Sequence, residues 1–297
     1  MSWISFGIAL VAFAVLGPVL GCLLAGIDRI ITARMQGRVG PPLLQPYYDV
    51  RKLLAKEHRS LNGFMGYYLV LSLVFAILAG ALFFAGGNLL LVVFLISLST
   101  LLFIVAAYST RSPYADIGAG REIIQVLAYE PMIILMPVFF FLVTGSFDTA
   151  TVFSLSLPLI VSLPLVFIGL LFILTIKLRK SPFDLSFSHH AHQELVKGIT
   201  TEMSGRNLAI VEITHWFENV LFLGYIGLFF VWISPFALIV AVVIALAVYF
   251  LEIVIDNTFA RVKWQSMLGW SWVVTLVCTV VNLAFLAVIF GFFLGGV

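Results

Sequence analysis

The sequence predicts an all-α, polytopic integral membrane protein of about eight transmembrane helices, with both termini outside and large cytoplasmic loops 1, 3 and 5. Three observations predict it. Of 297 residues, 62% are hydrophobic and only 10% charged, against about 45–50% and about 25% in a soluble domain. The apolar residues gather into runs of about 20, the length that crosses about 30 Å of hydrocarbon. Every one of the 16 Lys and Arg residues falls in an odd-numbered connection between those runs. The same numbers exclude other classes. A net charge of +2 and two cysteines fit neither a nucleic-acid surface nor a disulfide scaffold, and lipid-barrel strands would alternate and run only about 10 residues.

The first span, 3–25, has no basic stretch before it, so it is expected to be retained rather than cleaved. Spans 63–86 and 88–108 form a hairpin turned at Gly86 and Gly87. Span 123–144 carries Glu130 followed by Pro131 and Pro137, which remove backbone hydrogen bonds and let the helix bend. Spans 157–176 and 208–233 flank the fifth loop, 177–207. Span 236–256 follows a turn at Ser234 and Pro235, and 270–295 is the last. The whole reads as a single transmembrane domain, 1–297, with cytoplasmic loops at 26–62, 109–122, 177–207 and 257–269. Positive charge stays on the cytoplasmic side during insertion, which fixes this orientation. The outer connections are short, with Asp148 their only charged residue.

Five carboxylates fall inside spans: Glu130, Glu212, Glu218, Glu252 and Asp256. No Lys or Arg does, so these acids are expected to be protonated, hydrated, or paired with His215 or loop residues. Each costs about 2.5–3.5 kcal/mol at a helix centre, against about −0.3 to −0.6 for each Leu, Ile, Phe or Val. The sixth span carries two acids and a histidine, so it belongs inside the bundle. At about 100° per residue, Glu212, His215, Glu218 and Asn219 form one polar stripe, and Glu252 and Asp256, at i and i+4, share a face. Two readings follow: a half-channel of hydrated acids that exchange protons with the cytoplasm, or neutral carboxylic acids that glue helices together. The concentration of acids in one half of the membrane, beside His215, favours the proton pathway.

Two cytoplasmic stretches stand out. Residues 46–59, PYYDVRKLLAKEHR, set Tyr47, Val50, Leu53 and Leu54 against Asp49, Arg51, Lys52 and Lys56, the pattern of an interfacial helix with a basic face. Upstream, GRVGPP at 37–42 is a tight turn presenting Arg38. The fifth loop places Asp184, His189, His190, His192, Glu194 and Glu202 in one short polar run. His190 and His192 would share a face on a strand, but no cysteine is near, and a docking surface explains the same polarity. No metal site is therefore expected. Cys22 and Cys278 sit in apolar runs and pack as small hydrophobes.

These residues carry a resemblance. GIDRIITARMQGRVGPPLLQPYYDVRKLLAKE (26–57), YEP (129–131) preceded by Arg121, and the PFDL, QELV and TEMSG series (182–205) resemble one family across nearly the whole chain. It is that of the NADH-quinone oxidoreductase H subunit, the membrane protein at the heel of respiratory complex I, and its counterpart in energy-converting membrane-bound NiFe hydrogenases. The first loop is shortened between Gly40 and Gln45, and HAHQEL stands where the quinone enzymes typically have EAEQEL. Both features resemble the Ech and Mbh hydrogenase branch and argue against a working quinone pocket.

The resemblance implies a membrane protein that anchors a soluble arm and couples ferredoxin oxidation and hydrogen evolution to H⁺ or Na⁺ translocation. It implies no cofactor in this chain, with iron–sulfur clusters and the NiFe centre in partner subunits. The partners expected are the hydrogenase large and small subunits, a ferredoxin-like iron–sulfur subunit and antiporter-like membrane subunits, in the lipid bilayer of the cell membrane. Glu130, Glu212, His215, Glu218, Glu252 and Asp256 would form the proton pathway. Arg29, Arg38, Gln45, Arg121, Asp184, His189, His190, His192, Glu194 and Glu202 would form the coupling interface. The alternatives are a quinone-site heel subunit, a stand-alone ion transporter, and a scaffold whose acids are inert.

Overall fold

A computed structural model describes residues 3–57, 63–186 and 197–290. The long helices are α1 (Trp3–Met35), α3 (Gly63–Phe84), α4 (Leu89–Tyr108), α5 (Pro113–Thr144), α8 (Gly205–Leu228), α9 (Ala237–Thr258) and α10 (Trp264–Phe290). Shorter ones are α2 (Gln45–Leu54), α6 (Leu159–Ser162) and α7 (Pro164–Lys177). Two 3₁₀ turns, Thr149–Ser154 and Gly198–Thr200, complete the described elements.

Chain chemistry sets the ends. At the close of α1 the left-handed residue is Gly37 (φ 69°), and the amide of Arg38 reaches back to the carbonyl of Ala33 at 2.8 Å, which satisfies a terminal carbonyl. At the start of α4 the Asn88 side chain accepts from the amide of Leu91. Within the bundle, α3 and α4 are pinned by a reciprocal pair: the Ser72 hydroxyl donates to the Ser99 carbonyl and the Ser99 hydroxyl to the Ser72 carbonyl, each at 2.8 Å. Helix α8 is central, packing on α1, α2, α3 and α9. Its approach to α1 is closest at Gly21, where an added Cβ would collide with Cβ of Trp216.

The main core draws on every helix but α2. The outward faces of α1, α9 and α10 expose Ile8, Val11, Val15, Val242, Val243, Val277 and Val280, a surface suited to hydrocarbon rather than water. Among the described residues, six helices, α1, α3, α4, α5, α9 and α10, are long and apolar enough to cross a bilayer. The protein is thus an all-helical, multi-pass membrane protein.

The remaining two predicted spans depart from simple rods, each for a local reason. Span 157–176 is broken at Leu163, just before Pro164, which cannot donate a helical hydrogen bond. The resulting α7 has 14 residues, about 21 Å at 1.5 Å per residue. Span 208–233 becomes α8, whose two acids and His215 dilute its hydropathy. Helical structure also extends into two of the predicted loops: α5 starts at Pro113, so Arg121 and Glu122 are helical, and α1 runs on to Met35, about a quarter of the way through 26–62.

The bundle has two unlike ends. At one, the connections meet each other: Asn257 bonds Gln36 and Thr32, Arg261 bonds Asp184, and Val262 bonds the Pro182 carbonyl. At the other, short turns close on one another through an Asn88–Asp148 bridge and backbone bonds from Ile160 to Phe229 and Ile233 to Leu155.

Candidate functional site

The site grows from the end of α7. Thr175, Ile176 and Lys177 form its last turn, and the chain reverses at Arg179 (φ 54°) with the amide of Lys180 bonded to the Thr175 carbonyl and that of Arg179 to the Ile176 carbonyl. That bonding pattern usually ends in glycine. Holding a non-glycine residue in the left-handed region costs about 1–2 kcal/mol, and here the side chain offsets the cost. Arg179 Nη2 donates to Glu122 Oε1 of α5 at 2.8 Å, with side-chain exposures of 12% and 3%. Its other nitrogen meets His215 Nε2 of α8, and the guanidinium stands over the Phe103 ring of α4.

The reversal points three closely spaced cations at different helices. Lys177 Nζ lies 3.5 Å from Glu218 Oε1 on α8, with side chains only 4% and 9% exposed, and donates to Thr100 and Tyr129 on α4 and α5. Lys180 Nζ turns the opposite way, to Asp28 on α1 and, at 3.3 Å, to Asp256 on α9. Outside the spans the electrostatics have a clear sign. Burial pulls Lys180 down, but Asp28 and Asp256 outweigh it and hold the ammonium above the ordinary lysine range. Arg179 is raised in the same way, burial being outweighed by Glu122 and Glu218.

Below this strap lies a cavity of about 430 Å³ lined from α1, α8, α9 and the α7–α8 connection. Glu212, His215, Glu218 and Asn219 line it from α8, and Asp256, Asn257 and Tyr249 from α9. A second void of about 10 Å³, bounded by Ser72, Thr100, Arg179, His215 and Glu218, continues it toward α3 and α4. That is room for about one water. The predicted α8 stripe is therefore a cavity wall.

The other expected pathway residues are less uniform. Glu252 is 1% exposed, does not line the cavity, and keeps Oε2 without a hydrogen-bond partner among the described residues. Asp256 accepts from Lys180 and from the Ser181 amide at 2.8 Å. Glu130 lies outside the cavity, half-buried on α5 and bonded to Ser97 of α4.

Of the expected interface residues, Arg29, Arg38 and Asp184 line the cavity. Arg29 pairs with Asp49 at 2.5 Å, and Gln45 donates to the same carboxylate at 2.9 Å. Burial pulls Asp49 up, but these two partners win and hold it below the usual carboxylate range. Arg38 bonds Gln36. Asp184 pairs with Arg261, and Arg121 donates to the Leu185 carbonyl. Glu202 is half-buried before α8 and does not line the cavity. His189, His190, His192 and Glu194 lie outside the described residues.

Of the alternatives expected for the span acids, pairing with loop residues is the one seen for Glu218 and Asp256, because Lys177, the last residue of α7, and Lys180 behind it fold into the bundle; the sequence did not show that these cations are buried. Sequence reasoning also missed Asp28, Glu122, Thr100 and Tyr129. The available signal was KLRK directly after an apolar run and before Pro182: four residues with nowhere to go but back. Among the described residues, no group of three His, Cys, Asp or Glu could hold a metal ion.

An apolar bundle whose one end encloses a charged cleft defines a class: a multi-pass membrane protein whose polar machinery opens on a single face. The chain belongs to the NADH dehydrogenase family, whose model matches residues 7–287. It is 29% identical over 291 residues to Hydrogenase-4 component C of Escherichia coli (strain K12), covering 88% of this chain and 90% of that one. It is 28% identical over 281 residues to Formate hydrogenlyase subunit 4 of the same strain, covering 86% and 89%. It is 31% identical over 298 residues to the NADH-quinone oxidoreductase H subunit of Anoxybacillus flavithermus, covering 89% and 88%. A chain in the solved structure of the membrane-bound sulfane sulfur reductase, an archaeal respiratory membrane complex, shares the fold, with TM-score 0.81 at 23% identity over 93% of this chain and 99% of that one.

Proposed function

We propose that the chain is the membrane subunit of an energy-converting hydrogenase complex, anchoring an iron–sulfur and NiFe arm and coupling ferredoxin oxidation and hydrogen evolution to H⁺ or Na⁺ translocation. The observation that carries this reading is the cation strap. Lys177, Arg179 and Lys180 stand within a few residues of the 182–186 segment, which is held by Gln125 and Arg121 of α5, by Arg261 and by the amide of Ile199. A docked arm that moves this segment moves three cations against Glu218, Glu122, Asp28 and Asp256. Shifting a charge beside a buried carboxylate changes its proton affinity, which is the required coupling between a redox partner and a proton path.

The same reading takes the cationic end as cytoplasmic, counts α7 and α8 as the remaining two of eight spans, and puts both termini outside. Loops 1, 3 and 5 then form the platform under the soluble partners. Glu212, His215 and Glu218 receive protons from the cavity. Glu252 and Asp256 extend the acid set, and Glu130, at the bundle's flank, hands charge sideways to antiporter-like partners. Replacing Glu212 or Glu218 with Gln is expected to cut proton uptake by membrane vesicles at least ten-fold, while hydrogen evolution from an artificial electron donor continues. Unchanged uptake in both variants removes them from the path.

Similarity to the NADH-quinone oxidoreductase relative supports a second reading, a quinone-site heel subunit. The charged cavity lining, with Arg29, Arg38, Lys180 and Asp184, weighs against it, since binding sites for such ligands are mostly apolar. Nickel in the purified complex and no quinone reduction would support the hydrogenase assignment; the reverse would support the quinone one.

A further inference from the structure

Lys177 sits in an oxygen cage that its charge fits. An ammonium has three hydrogens to donate, and three oxygens surround this one: Thr100 Oγ1 at 3.0 Å, Tyr129 OH at 3.5 Å and Glu218 Oε1 at 3.5 Å. Thr100 spends its own proton on the Ile96 carbonyl at 3.1 Å, so its oxygen is left to accept. The Tyr129 and Phe222 rings approach the nitrogen with centroids at 5.1 and 5.5 Å, a placement that favours a cation. The side chain is 4% exposed. Hydroxyl, phenol and carboxylate oxygens converging from three helices are also what a hard metal cation seeks.

We propose that the Lys177 ammonium is a tethered cation filling what would otherwise be a monovalent-cation site, so that this node passes protons and excludes sodium. The inference rests on the ion-path reading of the cleft and deepens it by naming the ion. A proton can cross such a node by exchange between hydrogen-bonded oxygens and the water-sized void beside Thr100, Arg179 and Glu218. Sodium would have to displace a positive charge that the backbone holds in place. Losing that ammonium leaves a place beside Glu218 Oε1, Thr100 Oγ1 and Tyr129 OH that a small cation can enter.

The test compares the wild-type complex with Lys177→Met and Lys177→Arg, melted in sodium chloride and in choline chloride at equal ionic strength. Sodium is expected to raise the melting temperature of K177M by about 2–4 °C, to leave K177R like the wild type, and to lose its effect on K177M when Glu218→Gln is added. Equal sodium responses in wild type and K177M overturn the proposal. Should K177M fail to assemble, the wild type against Glu218→Gln decides: a sodium-induced rise in the wild type that E218Q abolishes overturns it, and equal responses support it. Proton uptake reads the underlying path separately. Unchanged uptake in E218Q sinks the path without altering what the melting curves say about the cage.

Discussion

The two halves of helix α8 cross the same bundle through different interiors. From Glu212 to Glu218 it faces a cavity, two ion-paired cations and a second water-sized void. From Tyr225 to its end, and at Phe229 just beyond, rings take over: Tyr225 lies against Phe83 at 4.9 Å between centroids, and Phe229 against Phe140 and Phe167 at 5.1 and 5.2 Å. About two helical turns separate Glu218 from Tyr225, yet one side is lined by carboxylates and cations and the other by packed rings. The contrast teaches where the polar lining ends: on the proposed ion path, a charge entering from the polar end meets packed rings beyond Phe222, and the second void turns toward α3 and α4, while Glu252 and Glu130 line neither void.

The largest effect that would break this comparison comes from the polar half. Glu122→Ala leaves Arg179 buried with its left-handed backbone and no carboxylate at 2.8 Å. Removing one partner of a buried pair costs about 3–5 kcal/mol, so denaturant melts of the detergent-purified protein should shift by that amount. A shift under about 1 kcal/mol, the scale of an exposed pair, would mean the polar half is as solvated as the α2 rim.

A smaller effect tests sign rather than size. The Lys180 pairs raise that ammonium's affinity for its proton, so their stabilisation is fully present below the unfolded-chain value, about 10.4, and fades as pH rises through the higher folded value. Lys180→Met should therefore cost about 1.5–3 kcal/mol at pH 7, and its melting curve should approach that of the wild type above about pH 10.4. A gap that widens with pH would contradict the pairing with Asp28 and Asp256.

Sequence patterns make the bundle legible because long apolar runs admit few structures: membrane class, hairpin turns and the α8 polar face all follow from periodicity. The site is only half legible. Glu212, His215 and Glu218 share a helix, and helical spacing alone aligns them. Lys177 reaches Glu218 from the last turn of α7, and Arg179 and Lys180 are brought to their carboxylates by a chain reversal whose left-handed residue is an arginine, so no Gly announces it. Loop cations count as solvated until the backbone is known to turn inward. Glu122 was hidden for a related reason: Pro113 permits a helix to begin ten residues before the apolar run does.

The smallest effect lies in the apolar half and sharpens the contrast most. The Tyr225 hydroxyl is buried with no hydrogen-bond partner among the described residues. A buried polar group without a partner loses its water bonds and gains nothing in return, so deleting it removes a cost rather than a contact. Tyr225→Phe should thus leave stability unchanged or raise it by up to about 1 kcal/mol, and proton uptake should match the wild type because the proposed path turns aside before this layer. Were the same variant to lose uptake while keeping its melting temperature, the hydroxyl would have to be bonded to water continuous with the Glu218 void. The aromatic layer would then be a gate, and the path would cross the membrane within this one chain instead of turning sideways.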